Sequence, residues 1–299
     1  MQISAYSPFK SEEAKERYLR FYDNQAKKWP IDSETLMVDT SYGGTFVRIS
    51  GPPRAQPLIL IPGLSASSLM WIPNIKALSE HYRTYAVDHI YDNGRSIRTL
   101  PVMKPDDLVK WLEDLFNNLE FEKNINLMGI SFGGWLASNY ALHFPERLSK
   151  IVLLTPTCTI LPVKFSFYIH GALSPLPIRY FTKQLFFWLF EDCVRKDEIS
   201  RIRVEEWIDN MFVGFRCFKM KQPLNPPILK DEELQSIKVP TLYLIGENEK
   251  LYSAQKAIER VNRVAPHIKT DTILNAGHDL SIVQAEMVNR KVLDFLKEP

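Results

Sequence analysis

The sequence predicts an α/β protein: a mostly parallel sheet with helices on both faces. Short apolar runs such as Leu58-Ile59-Leu60-Ile61 and Ile151-Val152-Leu153-Leu154 read as strands buried on both sides. Single helical segments separate these runs, the order that parallel strands require. The chain also has 299 residues, 45% of them hydrophobic, enough to bury a large core.

The elements follow in order. Residues up to Trp29-Pro30 read as an amphipathic helix, with Ser11 as N-cap, Glu12 and Glu13 in the first turn, and Tyr18, Leu19, Phe21 and Tyr22 on its buried side. The mixed charge of its polar face favours docking on the protein over a membrane. Thr45 to Ile49 is predicted as a strand after a Gly43-Gly44 turn, and Leu58 to Ile61 as a strand closed by Pro62-Gly63. A helix from about Met70 to Glu80, a strand over Tyr82 to Val87 and a helix from Pro105 to about Asn118 come next. Asn124 to Met128 is extended, Trp135 to Leu142 helical and Ile151 to Leu154 a strand. The alternation resumes with strand Thr241 to Gly246, a helix near Ser253 to Val264, strand Thr270 to Leu274 and a helix from about Ser281 to Leu296.

Residues 157–236 break the rhythm. This stretch holds Phe165, Phe167, Tyr168, Phe181, Phe186, Phe187, Trp188, Phe190, Trp207, Phe212, Phe215 and Phe218 but no run that reads as a buried strand. It is expected to be a mainly helical insertion that splits the core into residues 1–156 and 237–299. Most of its aromatic rings would pack on one another and on the core, and a few would line an apolar pocket.

Composition excludes several classes. The 37 basic and 35 acidic residues nearly balance, so nothing points to a nucleic-acid partner. Cys158, Cys193 and Cys217 have neither metal-ligand spacing nor a C-x-x-C pair, and their odd number argues against a disulfide framework. Reduced thiols and a cytoplasmic location are expected. Met1 to Tyr6 lack a basic or apolar leader pattern. The most apolar stretch, Ile151 to Leu161, is short and interrupted by Pro156, so no stable membrane insertion is expected.

The chemistry is concentrated in Gly129-Ile130-Ser131-Phe132-Gly133-Gly134, which fits G-x-S-x-G between a predicted strand and a predicted helix. A sharp strand-to-helix turn lifts a serine hydroxyl above the sheet, and glycines two residues either side leave room for it. A serine hydroxyl needs a base and an acid to orient that base, in the chain order serine, acid, histidine. His81 and His89 precede the serine, His143 ends the elbow helix, His170 lies in the insertion and His267 precedes the last strand. His278 follows that strand within Asn275-Ala276-Gly277-His278-Asp279, at the sheet edge that also carries Ser131. For the acid, Glu249 is preferred, with Glu247 as rival; Asp279 adjoins His278, and neighbouring residues seldom present side chains to each other. The amides of Phe132 and of Leu64, in the loop Pro62 to Ser68, are the expected oxyanion donors.

These segments together resemble the α/β-hydrolase superfamily, from about Leu58 to the C-terminus. Asp88 to Ser96 resembles its D-x-x-G-x-G-x-S loop with one glycine replaced. The helix ending in Trp-Pro, Ser67-Ser68-Leu69-Met70-Trp71 and Gly246-Glu247-Asn248-Glu249 are similar to small bacterial carboxylesterases of the naproxen-esterase kind. Those relatives usually carry His-Gly where this chain has Pro62-Gly63. The resemblance implies an eight-stranded sheet, a helical cap and ester hydrolysis through an acyl-enzyme, with a small-molecule ester as partner and no cofactor or metal. It leaves acyltransferase, thioesterase or carbon–carbon bond hydrolase activity, a non-catalytic ligand-binding role and a homodimer open.

Overall fold

The computed structural model describes residues 7–220 and 224–298; Met1 to Tyr6, which carry the reading of the N-terminus, lie outside the described residues. Helix α1 (Glu12–Ala26) opens the chain, and the Ser11 hydroxyl accepts from Ala14 N–H at 3.1 Å. It ends three residues before Trp29, whose indole instead turns inward and donates to Ser50 Oγ at 3.1 Å. Tyr18 and Tyr22 form its buried side, while Leu19 and Phe21 are only partly covered.

Strand β1 (Glu34–Thr40) pairs antiparallel with β2 (Gly43–Ser50). β1 has no strand signature in sequence because most of its side chains are exposed. Gly43 and Gly44 lie inside β2 rather than in a preceding turn. Gly43 sits at φ +124°, and a Cβ there would lie 2.1 Å from Ile97 O, where β5 (Ile97–Arg98) pairs alongside. β3 (Pro57–Ile61) leads through a 3-10 turn, Ser68–Trp71, into α2 (Ile72–Ser79) and then β4 (Arg83–Val87). Pro73, in the first turn of α2, lacks only an N–H that no helix start can pair. α3 (Pro105–Asn118) spans the predicted range, and β6 (Ile125–Ile130), fully buried, runs into α4 (Phe132–His143) and β7 (Leu148–Leu154).

Between β7 and β8 (Thr241–Gly246) the described residues form five helices and no strand: α5 (Phe165–Gly171), α6 (Arg179–Leu189), α7 (Glu191–Lys196), α8 (Glu198–Cys217) and α9 (Asp231–Ser236). α10 (Ala254–Val264) and edge strand β9 (Lys269–Ile273) follow. The single C-terminal helix expected from sequence is two: α11 (Leu280–Val283) and α12 (Ala285–Lys297), separated at Gln284, whose φ −123° and ψ 38° leave the helical region.

The sheet order is β1-β2-β4-β3-β6-β7-β8-β9, with β5 beside β2. Every pair from β4 through β9 is parallel, and β1, β2 and β5 pair antiparallel. The central strands β6 and β8 are buried along their whole length, as a sheet covered on both faces requires. Their C-terminal ends carry Ser131 and the loop containing Glu249, and the loop after β9 carries His278. Among the described residues no helix is long and apolar enough to cross a membrane.

Candidate active site

Ser131 occupies φ 55°, ψ −119°, a left-handed conformation that side chains adopt at a cost. The turn is fixed from several sides. Ser131 N–H donates to Leu154 O at 2.9 Å, and Ser131 O accepts from Gly134 N–H at 3.0 Å and Thr157 N–H at 3.2 Å. The flanking glycines are set by close approach: a Cβ on Gly129 would lie 2.2 Å from Gly133 O, and one on Gly133 2.4 Å from Ile61 O.

Behind the serine, His278 Nδ1 lies 2.9 Å from Glu249 Oε2, with 8% of the histidine side chain and none of the glutamate side chain open to solvent. Glu249 Oε1 accepts from Leu251 N–H at 2.8 Å, and the Thr155 hydroxyl donates to the same Oε2 that faces His278. Burial alone would push this carboxyl up. The His278 ring, its hydrogen bond and those from Thr155 and Leu251 outweigh it and hold the carboxyl below the usual range. Glu247 is exposed and accepts from Asn275 N–H at 3.2 Å, away from the imidazole. The buried Asp279 carboxylate faces Cys193 N–H at 2.8 Å and Gly277 N–H at 3.0 Å. The remaining histidines make other contacts: His81 Nε2 lies 3.3 Å from Lys297 Nζ, His143 and His170 bond the carbonyls of Asn139 and Ser166, His267 that of Ile237, and His89 packs 4.8 Å from Trp111.

Ser131, Phe132, Leu64 and His278 line one cavity of about 840 Å³. A Cβ built on Gly63 would sit 3.3 Å from Ser131 Cβ, so the loop after β3 passes directly over the serine. The neighbouring amides are committed: Gly63 N–H to Met70 Sδ, Ser65 N–H to Asp92 Oδ2, Gly134 N–H to Ser131 O. The N–H groups of Leu64 and Phe132 have no acceptor among the described residues. They are two open donors beside one hydroxyl. The far wall comes from the inserted helices, with Phe167, Tyr168, Phe186, Phe190, Trp207 and Phe215 among its lining. Phe165, 75% exposed, takes no part.

Helix α7 of the insertion is fastened to both loops that carry Glu249 and His278. Asn248 donates to Asp192 at 2.9 Å and Lys250 to Glu191 at 2.5 Å, one residue either side of Glu249. Asp279 holds Cys193 N–H next to His278, and Lys196 donates to Val283 O at 2.6 Å. Sequence reasoning did not find Thr155, Asp92 or Asp192. The available signal for Thr155 was its place just past β7, between the strands that lead to Ser131 and Glu249. Among the described residues no three His, Cys, Asp or Glu side chains cluster as metal ligands, and the three cysteines are free thiols.

A strand-turn-helix serine, a buried histidine–carboxylate pair from later loops and a parallel sheet define a hydrolase of the α/β class. A family model described as the alpha/beta hydrolase fold matches residues 56–206, and the chain belongs to that family. It is 35% identical to carboxylesterase YbfK of Bacillus subtilis, over 94% of this chain and 93% of that protein. It is also 35% identical to the uncharacterized carboxylesterase nap of the same organism, over 93% of this chain and 92% of that one. The crystal structure of naproxen esterase from Bacillus subtilis superposes with a TM-score of 0.87 at 32% identity, covering 95% of this chain and 99% of that chain.

Proposed function

We propose that this protein is a serine carboxylesterase acting on small esters with an apolar or aryl group. The observation that carries the reading is the buried His278–Glu249 pair beside an elbow serine that shares its cavity with two unpaired amides. Its similarity to two bacterial carboxylesterases over nearly the whole chain supports the substrate class.

Ser131 Oγ attacks the ester carbonyl while His278 takes its proton. Glu249, held by Thr155 and Leu251, keeps the proton-bearing nitrogen of the ring on its far side and stabilises the imidazolium. The carbonyl oxygen gains charge against the Leu64 and Phe132 amides, which need not reorganise to receive it. Collapse of the tetrahedral intermediate breaks the bond to the alcohol oxygen, and His278 returns the proton to that leaving group. Water then repeats the sequence on the acyl-enzyme, releasing the carboxylic acid and free Ser131. Each step conserves charge with these groups alone.

Residues 157–236 serve as a cap whose aromatic face receives the apolar part of the ester. The core is residues 1–156 and 237–299, and three reduced thiols fit a cytoplasmic setting. The test is turnover of short p-nitrophenyl esters by wild type and Ser131→Ala. The reading expects the variant to lose at least about a thousandfold; equal turnover would overturn it.

A further inference from the structure

The loop that carries Leu64 is pinned by two buried aspartates from the segment after β4. Asp88 Oδ1 accepts from Ser68 N–H at 2.7 Å and from the Tyr22 hydroxyl at 3.2 Å, and its Oδ2 accepts from Arg95 N–H at 2.7 Å. Asp92 Oδ2 accepts from Ser65 N–H, and its Oδ1 from Asn93 N–H at 2.7 Å. Asp88 thus fixes the far end of the loop, and Asp92 fixes the peptide directly after Leu64.

That placement matters because a peptide group is rigid and its neighbours set its orientation. The peptide before Gly63 is held by Met70 Sδ at 3.3 Å, and the peptide after Leu64 by Asp92. The peptide between them accepts from Ala66 N–H at 3.3 Å through its Gly63 carbonyl, while its Leu64 N–H has no acceptor among the described residues. Ser65 sits at φ 61°, a conformation that a non-glycine residue does not keep without support. The bond to Asp92 supplies that support. Without it, Ser65 relaxes toward negative φ, and the Leu64 amide turns with the chain.

The sign of the charge separates this role from an electrostatic one. A carboxylate one residue from the oxyanion donor repels the negative charge that develops in the transition state. Its contribution must come from geometry.

We infer that Asp92 is a positioning residue for the oxyanion hole: through Ser65 it aims the Leu64 amide at the tetrahedral intermediate. The inference rests on the serine-esterase reading of the site. Asp92 touches neither substrate nor reacting atoms in it.

The test is Asp92→Asn, with Ser131→Ala alongside. Asparagine offers one acceptor oxygen where the carboxylate serves two N–H donors, so one of them must face an NH2 group. Steady-state turnover of a p-nitrophenyl ester is measured together with inhibition by an aryl trifluoromethyl ketone, whose adduct with serine mimics the tetrahedral intermediate. The inference expects kcat to fall on the order of tenfold, KM to stay within about twofold, and affinity for the ketone to fall with kcat. Asp92→Ala, which leaves both donors without an acceptor, falls further on the same two readouts. Loss of packing alone would lower the melting temperature without pairing kcat to ketone affinity. The inference is overturned if Asp92→Asn keeps kcat and ketone affinity within twofold of wild type. A rise in kcat, the mark of a purely electrostatic role, overturns it too. If Asp92→Ala does not fold, Asp92→Asn decides. Turnover by Ser131→Ala would instead remove the underlying reading.

Discussion

The wholly buried carboxylate of Glu249 meets the Nδ1 edge of His278 at 2.9 Å, and Thr155, just past the neighbouring strand β7, donates to the same oxygen. Thr155 N–H is itself bound to Leu244 O at 2.8 Å, so the residue that braces Glu249 is sewn to the strand that leads to it. The pair is therefore built into the sheet edge rather than suspended from two mobile loops.

Glu249→Gln tests the acid. An amide can present its NH2 to the ring and stabilise the wrong tautomer, so kcat should fall on the order of 10³–10⁴. Glu247→Gln, at an exposed residue bonded to Asn275, should leave kcat within about twofold. Steady-state kinetics of the two variants side by side give the answer, and the opposite ranking would reverse the assignment.

Thr155→Val removes one hydrogen bond to a buried carboxylate while nearly keeping side-chain volume. A hydrogen bond to a charged group is worth about 1.5–3 kcal/mol, so kcat should fall about tenfold to a hundredfold with KM little changed. An unchanged kcat would show that the Leu251 amide and His278 suffice to hold Glu249.

Asp279 gives a pH prediction. Burial pushes its carboxyl up to about 6, against which the Cys193 and Gly277 amides pull down. The folded pKa lies above the unfolded value of about 3.9, so the folded state holds the proton more tightly. The resulting cost is absent below pH 4, grows between pH 4 and 6, and is complete above 6, reaching up to about 3 kcal/mol. Asp279→Asn has no such dependence. Denaturant unfolding from pH 4 to pH 7 should therefore show the variant gaining on wild type as pH rises, over a constant loss from the altered bond to Cys193. A pH-independent difference would contradict the shift.

Gly129→Ala should disrupt the elbow, because the added methyl meets Gly133 O, a backbone atom, at 2.2 Å. The start of α4 must move, at a cost of about 1–3 kcal/mol or more. A lower melting temperature and at least a tenfold loss of turnover are expected. Gly171→Ala, whose nearest neighbour is Leu185 Cδ2 at 3.9 Å, should not lower the melting temperature.

The serine elbow and the histidine loop were legible in sequence because each is a local pattern at the end of an apolar strand. The choice of Glu249 over Glu247 was only a preference. The two lie two residues apart just past β8, and what separates them is burial: Glu249 is enclosed against His278 and Glu247 is exposed. Thr155 and Asp92 act across strands and loops, through contacts that no spacing along the chain records. β1 escaped notice because its side chains are mostly exposed, and the break at Gln284 because the apolar pattern runs on through it. The insertion was visible as a loss of rhythm, but the attachment of α7 to the loops of Glu249 and His278 was not.

The central claim is that Ser131 becomes acylated. Incubating the protein with a fluorophosphonate ester and mapping the adduct by peptide mass spectrometry tests it directly. The account predicts one adduct, on the peptide containing Ser131, that forms as turnover is lost and does not form in Ser131→Ala. Full loss of turnover with the adduct on another residue, or ester turnover by a protein that Ser131→Ala leaves unimpaired, would contradict it.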